Sequence, residues 1–192
     1  MKILLLGEYS NLHNSLKQAL ISMGHEVLLV GNRDGFKKYE TDILIKSHLA
    51  DYSLFNLIAR LFMRIFKINI FDIEIYFRAK KIVNKLQGFD VVQLINENSF
   101  KTSPLLEIKL LKQIFQNNNN VFLLSCGVDS VSVKHAMSKK LKYSILTPLF
   151  EDASLEKKYE PILKYNRENY LALRKFVQEN IKGIISSDLD YH

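Results

Sequence analysis

Short apolar runs alternate with stretches whose apolar residues recur every three or four positions, and the alternation starts at the beginning of the chain. The run from Lys2 to Leu6 predicts a buried strand, and the spacing from Leu12 to Met23 predicts an amphipathic helix that Gly24 ends. Further apolar runs predict strands at residues 26–30, 43–45, 90–95, 121–125 and 183–187. Repeated strand–helix–strand units predict an α/β, Rossmann-like fold with a mostly parallel sheet and helices on both faces.

The later helices follow from the same periodicity, and one segment is harder to assign. Helices are predicted over residues 54–71, 72–86, 104–115 and 161–181. Asp72 is expected to cap the second of these, and Ser103-Pro104 is expected to open the third. Residues 126–150 combine polar loop chemistry with a basic stretch, and a short strand is expected near residues 144–146.

Composition places the chain among intracellular globular proteins. Its 192 residues suit one large domain, and the single cysteine, Cys126, cannot form an internal disulfide, which favours a reducing compartment. The first apolar run is too short for a signal peptide. The formal charge of +7 could serve an anionic partner (nucleic acid, a lipid surface or a phosphorylated substrate) or reflect lysines scattered over solvated helix faces.

Polar loops follow three of the predicted strands, at residues 7–13, 96–99 and 126–130. Turns favour Asn, Asp, Gly and Ser in any case, but the carboxyl ends of parallel strands meet at one edge, where ligands bind in open α/β sheets. We therefore predict a polar crevice there. Its candidate substrate-binding residues are Gly7, Glu8, Ser10, Asn11, His13, Asn96, Glu97, Gly127 and Asp129. Asn11 and Glu97 are expected at an exposed rim, so their substitution should weaken binding with little effect on stability.

Other chemistries fit the sequence less well. The dinucleotide fingerprint G-x-G-x-x-G fails after the first strand, because Glu8 and Asn11 stand where its second and third glycines belong. Arg33 leaves an NADP-dependent reductase as a minor alternative. Metal binding is not expected, since the five histidines are scattered and lack ligand spacing. No partner is evident for Cys126 as a nucleophile, and a lone cysteine at a strand end is typical of packing.

The segment from Leu54 to Phe71 carries Arg60, Arg64 and Lys67 on one helical face and no acidic residue before its end. The other positions are mostly apolar. Such a helix can lie in the interface of an anionic membrane, although it is too interrupted by charge to span one. A helix half-buried in the core with a basic outer face is the alternative interpretation.

The first loop and helix, with the segment Met23-Gly24-His25-Glu26-Val27, resemble the opening of bacterial GT-B glycosyltransferases of the family-4 (glycosyltransferase group 1) type. The segment at residues 90–94, Asp-Val-Val-Gln-Leu, is similar to the family's D-V-V-H strand. Residues 183–187 look like the strand near the end of its N-terminal domain. Two departures are Gln93 in place of a histidine, and Cys126 with its following loop where many relatives carry another histidine.

The resemblance implies two Rossmann-like domains facing a cleft, with the acceptor held by the first and a nucleotide-sugar by the second. It implies transfer of a sugar to a polysaccharide or glycolipid acceptor without a metal, because such enzymes stabilise the leaving diphosphate with basic side chains and helix N-termini. Gly7 would allow close backbone approach, while Ser10, Asn11 and the helix start would donate to a phosphate or sugar hydroxyl. The resemblance does not identify the catalytic residue. Asp129 and Glu97 could line the acceptor pocket and are the candidate carboxylates, but neither matches a family residue of known role.

The last predicted strand is followed almost at once by His192. We therefore expect residues 1–192 to be a single acceptor-side domain, cut before a nucleotide-sugar-binding domain, and inactive alone. No cofactor is expected in this part, and the nucleotide-sugar belongs to the full-length enzyme. The expected location is the cytoplasm, at the inner face of the membrane, without nucleic acid as a partner. A non-catalytic Rossmann-like module that binds a nucleotide or a partner protein is the alternative.

Overall fold

The structure, a computed structural model, describes residues 1–32, 37–66 and 68–186. Arg33, Lys67, Ser187 and His192 lie outside these ranges. The strands are β1 (Lys2–Leu6), β2 (Glu26–Gly31), β3 (Ile43–Leu44), β4 (Val91–Leu94), β5 (Val121–Ser125) and β6 (Gly183–Ser186). Within the described ranges they form one sheet in the order β3-β2-β1-β4-β5-β6, and every neighbouring pair is parallel.

Helices connect the strands, as a parallel sheet requires. They are α1 (Leu12–Ser22), α2 (Ser53–Phe66), α3 (Ile70–Val83), α4 (Pro104–Asn117), α5 (Ser130–Met137), α6 (Thr147–Glu151), α7 (Glu156–Leu163) and α8 (Glu168–Asn180). Short 3₁₀ turns lie at Leu49–Asp51, Ala153–Leu155 and Lys164–Asn166. No helix in the described ranges has both the length and the apolar character needed to cross a bilayer.

Both faces of the sheet are covered, so the predicted α/β, Rossmann-like fold is confirmed. Alternate residues of β1 point to opposite faces: Leu4 and Leu6 join the larger core, and Ile3 and Leu5 join the smaller one. The larger core is completed by buried residues of α3, α4 and α8, namely Ala79, Val83, Leu110, Leu111, Ile114, Leu173 and Val177. The smaller core is covered by Leu16 and Leu20 of α1.

The strand predicted near residues 144–146 is wrong. The hydroxyls of this segment bind its own backbone: Ser144 N donates to Thr147 Oγ1 at 2.7 Å, and Leu146 N donates to Ser144 Oγ at 3.2 Å. Side-chain acceptors of this kind compete with sheet formation. The segment is therefore a turn that leads into α6.

Two predicted helices are also divided differently. The helix predicted over residues 161–181 is the end of α7, a 3₁₀ turn and α8, because Arg167 has an extended backbone (φ −79°, ψ 150°) that interrupts it. The helix predicted over residues 54–71 ends at Phe66. The next helix is capped by Asn69 rather than by Asp72, since the Asn69 side chain accepts a hydrogen bond from Phe71 N at 3.1 Å.

Candidate functional site

The carboxyl edge of the sheet contains a topological switch point between β1 and β4. From β1 the sheet continues through β2 to β3 on one side, and through β4 and β5 to β6 on the other. In open α/β sheets the crevice at such a point is where ligands bind. The loops that follow β1 and β4 are in contact there, and Asn96 Nδ2 donates to the hydroxyl of Tyr9 at 3.3 Å.

Gly7 allows the two loops to come this close. Its φ is +85°, and a Cβ at this position would overlap Cγ2 of Ile95 and lie 3.2 Å from the carbonyl oxygen of Ser99. The Gly7 amide continues the pairing with β2 by donating to Val30 O at 2.8 Å. A residue without a side chain is therefore required where the first loop leaves the sheet.

A cavity of about 430 Å³ opens at this point, and we call it the switch-point pocket. Its lining combines the loops after β1 and β4 with the start of α3, the turn before α8, the first turn of α8 and one residue of α2. The lining residues are Tyr9, Met63, Asn69, Asp72, Asn98, Lys101, Thr102, Lys164, Tyr165 and Tyr170. Aromatic rings and polar groups thus converge in one concave site, which is the usual character of a small-molecule site.

Lysine ammonium groups lie against the tyrosine rings of the pocket. Lys101 Nζ is 4.1 Å from the centroid of the Tyr9 ring. Lys164 Nζ is 5.4 Å from the Tyr165 ring and 5.6 Å from the Tyr170 ring, and these two rings are 5.0 Å apart. Contacts of this kind are attractive, and they place positive charge beside the aromatic rings of the pocket.

Asn98 presents a hydrogen-bonding atom without a partner. The side chain is only 5% exposed. Its Nδ2 donates to Thr102 O at 3.0 Å, whereas its Oδ1 has no hydrogen-bond partner among the described residues. A buried acceptor left unsatisfied is costly, and this oxygen has almost no surface accessible from the pocket.

Asp72 is the carboxylate of the pocket. Its Oδ1 accepts a hydrogen bond from Asn69 Nδ2 at 2.8 Å. Burial raises the pKa of Asp72 to about 6, although the Lys164 ammonium opposes this rise. Burial also lowers the pKa of Lys164 and raises the pKa of Tyr170 to about 12. Asp72 is therefore a carboxylate that exchanges a proton close to neutral pH, as a general base does.

Glu97 and Asp129, the predicted catalytic candidates, lie in a buried ion cluster with Arg174 of α8. Arg174 Nη1 is 2.8 Å from Asp129 Oδ2 and 3.6 Å from Glu97 Oε2. Glu97 is 1% exposed, so its predicted position at an exposed rim is wrong. The error arises because α8, distant in sequence, covers the loop after β4 and supplies the counter-ion.

The contacts of this ion cluster are internal to the protein. Asp129 also accepts hydrogen bonds from Ser125 Oγ at 3.1 Å and from Ser132 N at 2.8 Å, and it caps α5. Burial raises the pKa of Glu97, and the nearby Asp129 carboxylate adds to the rise, while Arg174 and the backbone amides of Glu97 and Ser130 lower it. The cluster joins the loops after β4 and β5 to α8.

Glu8 of the first loop and His13 of α1 are fully buried. The Glu8 carboxylate accepts from Asn14 N at 2.9 Å and from Asn14 Nδ2 at 2.8 Å. It therefore occupies the N-terminus of α1, where a dinucleotide-binding protein holds a pyrophosphate. This contact agrees with the sequence argument against dinucleotide binding.

His13 connects the first loop to β4. Its Nδ1 lies 2.7 Å from Gly7 O and its Nε2 lies 3.4 Å from Gln93 Nε2. A carbonyl oxygen can only accept, so Nδ1 carries the proton and Nε2 faces the Gln93 amide as an acceptor. Burial lowers the pKa of His13 to about 4, although the bond to Gly7 opposes this change.

The remaining predicted residues divide between the crevice and the outer surface. Asn96 is buried, and its Oδ1 accepts from Asn98 N at 2.9 Å. Ser10 and Asn11 are exposed: Ser10 Oγ accepts from Lys37 Nζ at 3.1 Å, and Asn11 Nδ2 lies 3.3 Å from the hydroxyl of Ser15. Gly127 is exposed, with open space around its Cα.

None of the substrate-binding residues predicted from the sequence lines the switch-point pocket. Tyr9 lies within the predicted loop at residues 7–13, and Lys101 lies two residues after the predicted loop at residues 96–99. A search of these loops and their flanks for aromatic and basic residues would have found both. Tyr165 and Tyr170 stand at the break between α7 and α8, which the sequence analysis placed inside one helix. Asp72 was interpreted only as a helix cap. Among the described residues, no three His, Cys, Asp or Glu side chains gather as metal ligands do.

Comparison with known proteins identified no relative of this chain. The chain matches no family model, and neither the curated proteins nor the solved structures include a significant match.

Proposed function

We propose that the chain is the acceptor-binding domain of a glycosyltransferase, and that the switch-point pocket holds the sugar acceptor. The support comes from the likeness of the first loop and helix to GT-B glycosyltransferases, and from a Rossmann-like sheet with a polar, tyrosine-lined pocket at its switch point. The observation that carries the proposal is the pocket itself. It combines aromatic rings with polar and charged side chains in one concave site.

The chemistry of the pocket suits a saccharide. A pyranose ring has an apolar C–H face that packs on aromatic rings, and its hydroxyls need donors and acceptors around the rim. Tyr165 and Tyr170 offer the rings, and the side chains of Asp72 and Thr102 supply polar groups beside them. Lys101 and Lys164 would favour an acceptor that carries a carboxylate or a phosphate.

Asp72 is the proposed proton acceptor. In transfer, the acceptor hydroxyl oxygen forms a bond to the anomeric carbon of the donor, the bond from that carbon to the diphosphate breaks, and the hydroxyl proton passes to the Asp72 carboxylate. A pKa of about 6 leaves Asp72 mostly ionised at neutral pH. The donor would be held by a second domain of the kind that the resemblance implies.

The test is direct binding of a saccharide panel to the chain, measured by saturation-transfer-difference NMR. The panel contains neutral hexoses, hexuronic acids and sugar phosphates. We expect binding of at least one class, and its loss in Tyr165→Ala together with Lys101→Ala. The matched control is Lys134→Ala, an exposed lysine of α5 outside the pocket. Absence of binding across the panel, or equal binding by the pocket variants, would overturn the proposal.

A further inference from the structure

An exposed apolar stripe runs along α2. Leu54, Leu57, Leu61 and Ile65 follow one another at intervals of three and four residues, so they share one side of the helix. Their exposed fractions are 65%, 52%, 51% and 67%. Apolar side chains this exposed, in a continuous row, mark a surface that binds something apolar.

The opposite side of α2 attaches the helix to the rest of the protein. Ala59 is the buried residue of the helix, and α2 packs against α3 and the turn at Leu49–Asp51. The stripe therefore faces away from the core, and nothing in the described ranges covers it.

Positive charge flanks the stripe. Arg60 and Arg64 are one turn apart and three residues from Leu57 and Leu61, respectively, so they lie beside the row. The helix contains no acidic residue. Among the described residues, neither arginine has an ion-pair partner, and the Arg60 guanidinium donates only to Asn56 O at 3.2 Å.

We propose that α2 lies in the interface of an anionic lipid bilayer, with the stripe among the acyl chains and the two arginines at the lipid phosphates. Helices that bind anionic membrane surfaces typically have an apolar face flanked by Lys or Arg, and α2 has this arrangement without any acidic residue. The helix of 14 residues is about 21 Å long and shorter than the hydrocarbon core, so it lies along the surface. A second copy fits less well, because two α2 helices packed face to face would bring four arginines together without a counter-charge.

The position of α2 also bears on the acceptor. Met63 of α2 lines the switch-point pocket, so bilayer contact would place the pocket beside the lipid headgroups. If the proposed function holds, the acceptor is a sugar carried on a lipid. This last step depends on the proposed function, whereas membrane binding by α2 does not.

The test is co-sedimentation of the chain with vesicles of phosphatidylcholine alone and of phosphatidylcholine with about one third phosphatidylglycerol. We expect binding to the anionic vesicles. Arg60→Gln with Arg64→Gln should lower the partition coefficient about twenty-five-fold, at about fivefold for each arginine. The matched control is Lys157→Gln with Lys158→Gln, which removes two exposed cations from α7 and should leave binding within about twofold.

A second variant tests the apolar contact separately. Leu57→Gln with Leu61→Gln should reduce binding by about tenfold or more, and Leu105→Gln, a 69% exposed leucine of α4, should not reduce it. Circular dichroism checks that each variant is folded. Undiminished binding in both α2 variants would overturn the inference, as would lipid-independent dimerisation that the leucine substitutions abolish. Because no saccharide is present, failure here would leave the pocket proposal to its own test.

Discussion

Arg174 and Asp129 form a buried ion pair at 2.8 Å, although 45 residues separate them in the chain. The pair joins α8 to the loop after β5, and Glu97 brings the loop after β4 into the same cluster. Tyr165 lies in the 3₁₀ turn before α8, and Tyr170 lies in the first turn of α8. The ion pair therefore holds the aromatic wall of the switch-point pocket over the edge of the sheet.

Replacement of Arg174 by Met should destabilise the protein strongly. The substitution leaves two buried carboxylates without their cation, which typically costs about 3–5 kcal/mol. The measurement is the free energy of unfolding in urea at neutral pH. Lys175→Met is the control: its side chain is 77% exposed, so a change of less than about 0.5 kcal/mol is expected. Equal stability of the two variants would show that the cluster contributes little.

Gly7→Ala and Gly24→Ala separate steric overlap from backbone strain. Both glycines have positive φ values, +85° and +84°. Alanine at Gly24 meets no atom within 4 Å, so only the left-handed backbone is penalised, at about 1 kcal/mol. Alanine at Gly7 overlaps Ile95. Gly7→Ala should therefore destabilise the protein by about 3 kcal/mol more than Gly24→Ala does. Thermal unfolding compares the two, and similar losses would contradict close packing of the loops after β1 and β4.

His13 should make folding stability depend on pH between about 4 and 6.5. Its pKa is about 4 in the folded protein, against an ordinary value of 6.5, so the unfolded chain binds the proton first as the pH falls. Stability is therefore complete above pH 6.5 and is lost as the pH falls toward 4, by at most about 3 kcal/mol.

His13→Gln provides the comparison, because an amide can donate to Gly7 O but does not titrate in this range. Burial raises the pKa of Glu107 to about 7, so this group also makes stability depend on pH. Its effect is the same in the wild type and in His13→Gln, and it cancels when the two stabilities are subtracted. Urea unfolding at a series of pH values should show the wild type losing stability relative to the variant below pH 6.5. Parallel curves would mean that His13 is protonated as easily in the folded protein as in the unfolded chain.

Asp72 should make saccharide binding depend on pH. A carboxylate accepts a stronger hydrogen bond from a ligand hydroxyl than a carboxylic acid does, so affinity for a neutral sugar should rise about fivefold as the pH increases through 6. Asp72→Asn should remove this rise and bind equally at pH 5 and pH 8. Titration calorimetry measures the saccharide affinity at both pH values. If the affinity of Asp72→Asn still rises with pH, another group is responsible for the pH dependence.

The sequence was sufficient for the sheet, because each strand is a short apolar run bounded by turn residues. The strand order was not predicted, because the right-handed crossover rule fixes the hand of each connection and not which strands are neighbours. The local pattern of apolar residues was not sufficient where a side chain determines the backbone conformation. At Ser144 the hydroxyl accepts a hydrogen bond from Leu146 N, and the segment forms a turn where a strand was predicted. Nor did it reveal that α8 buries Glu97, since a contact across 77 residues leaves no trace in local periodicity.

The switch-point pocket is most directly tested by mapping a bound saccharide on the ¹⁵N-labelled chain. Amide chemical shifts are recorded while the sugar that binds best is added. Our account predicts that the largest changes occur at Tyr9, Asn98, Lys101 and Tyr165, which line the pocket. Changes confined to another surface, such as the groove between α5 and α8 lined by Lys134 and His135, would contradict it.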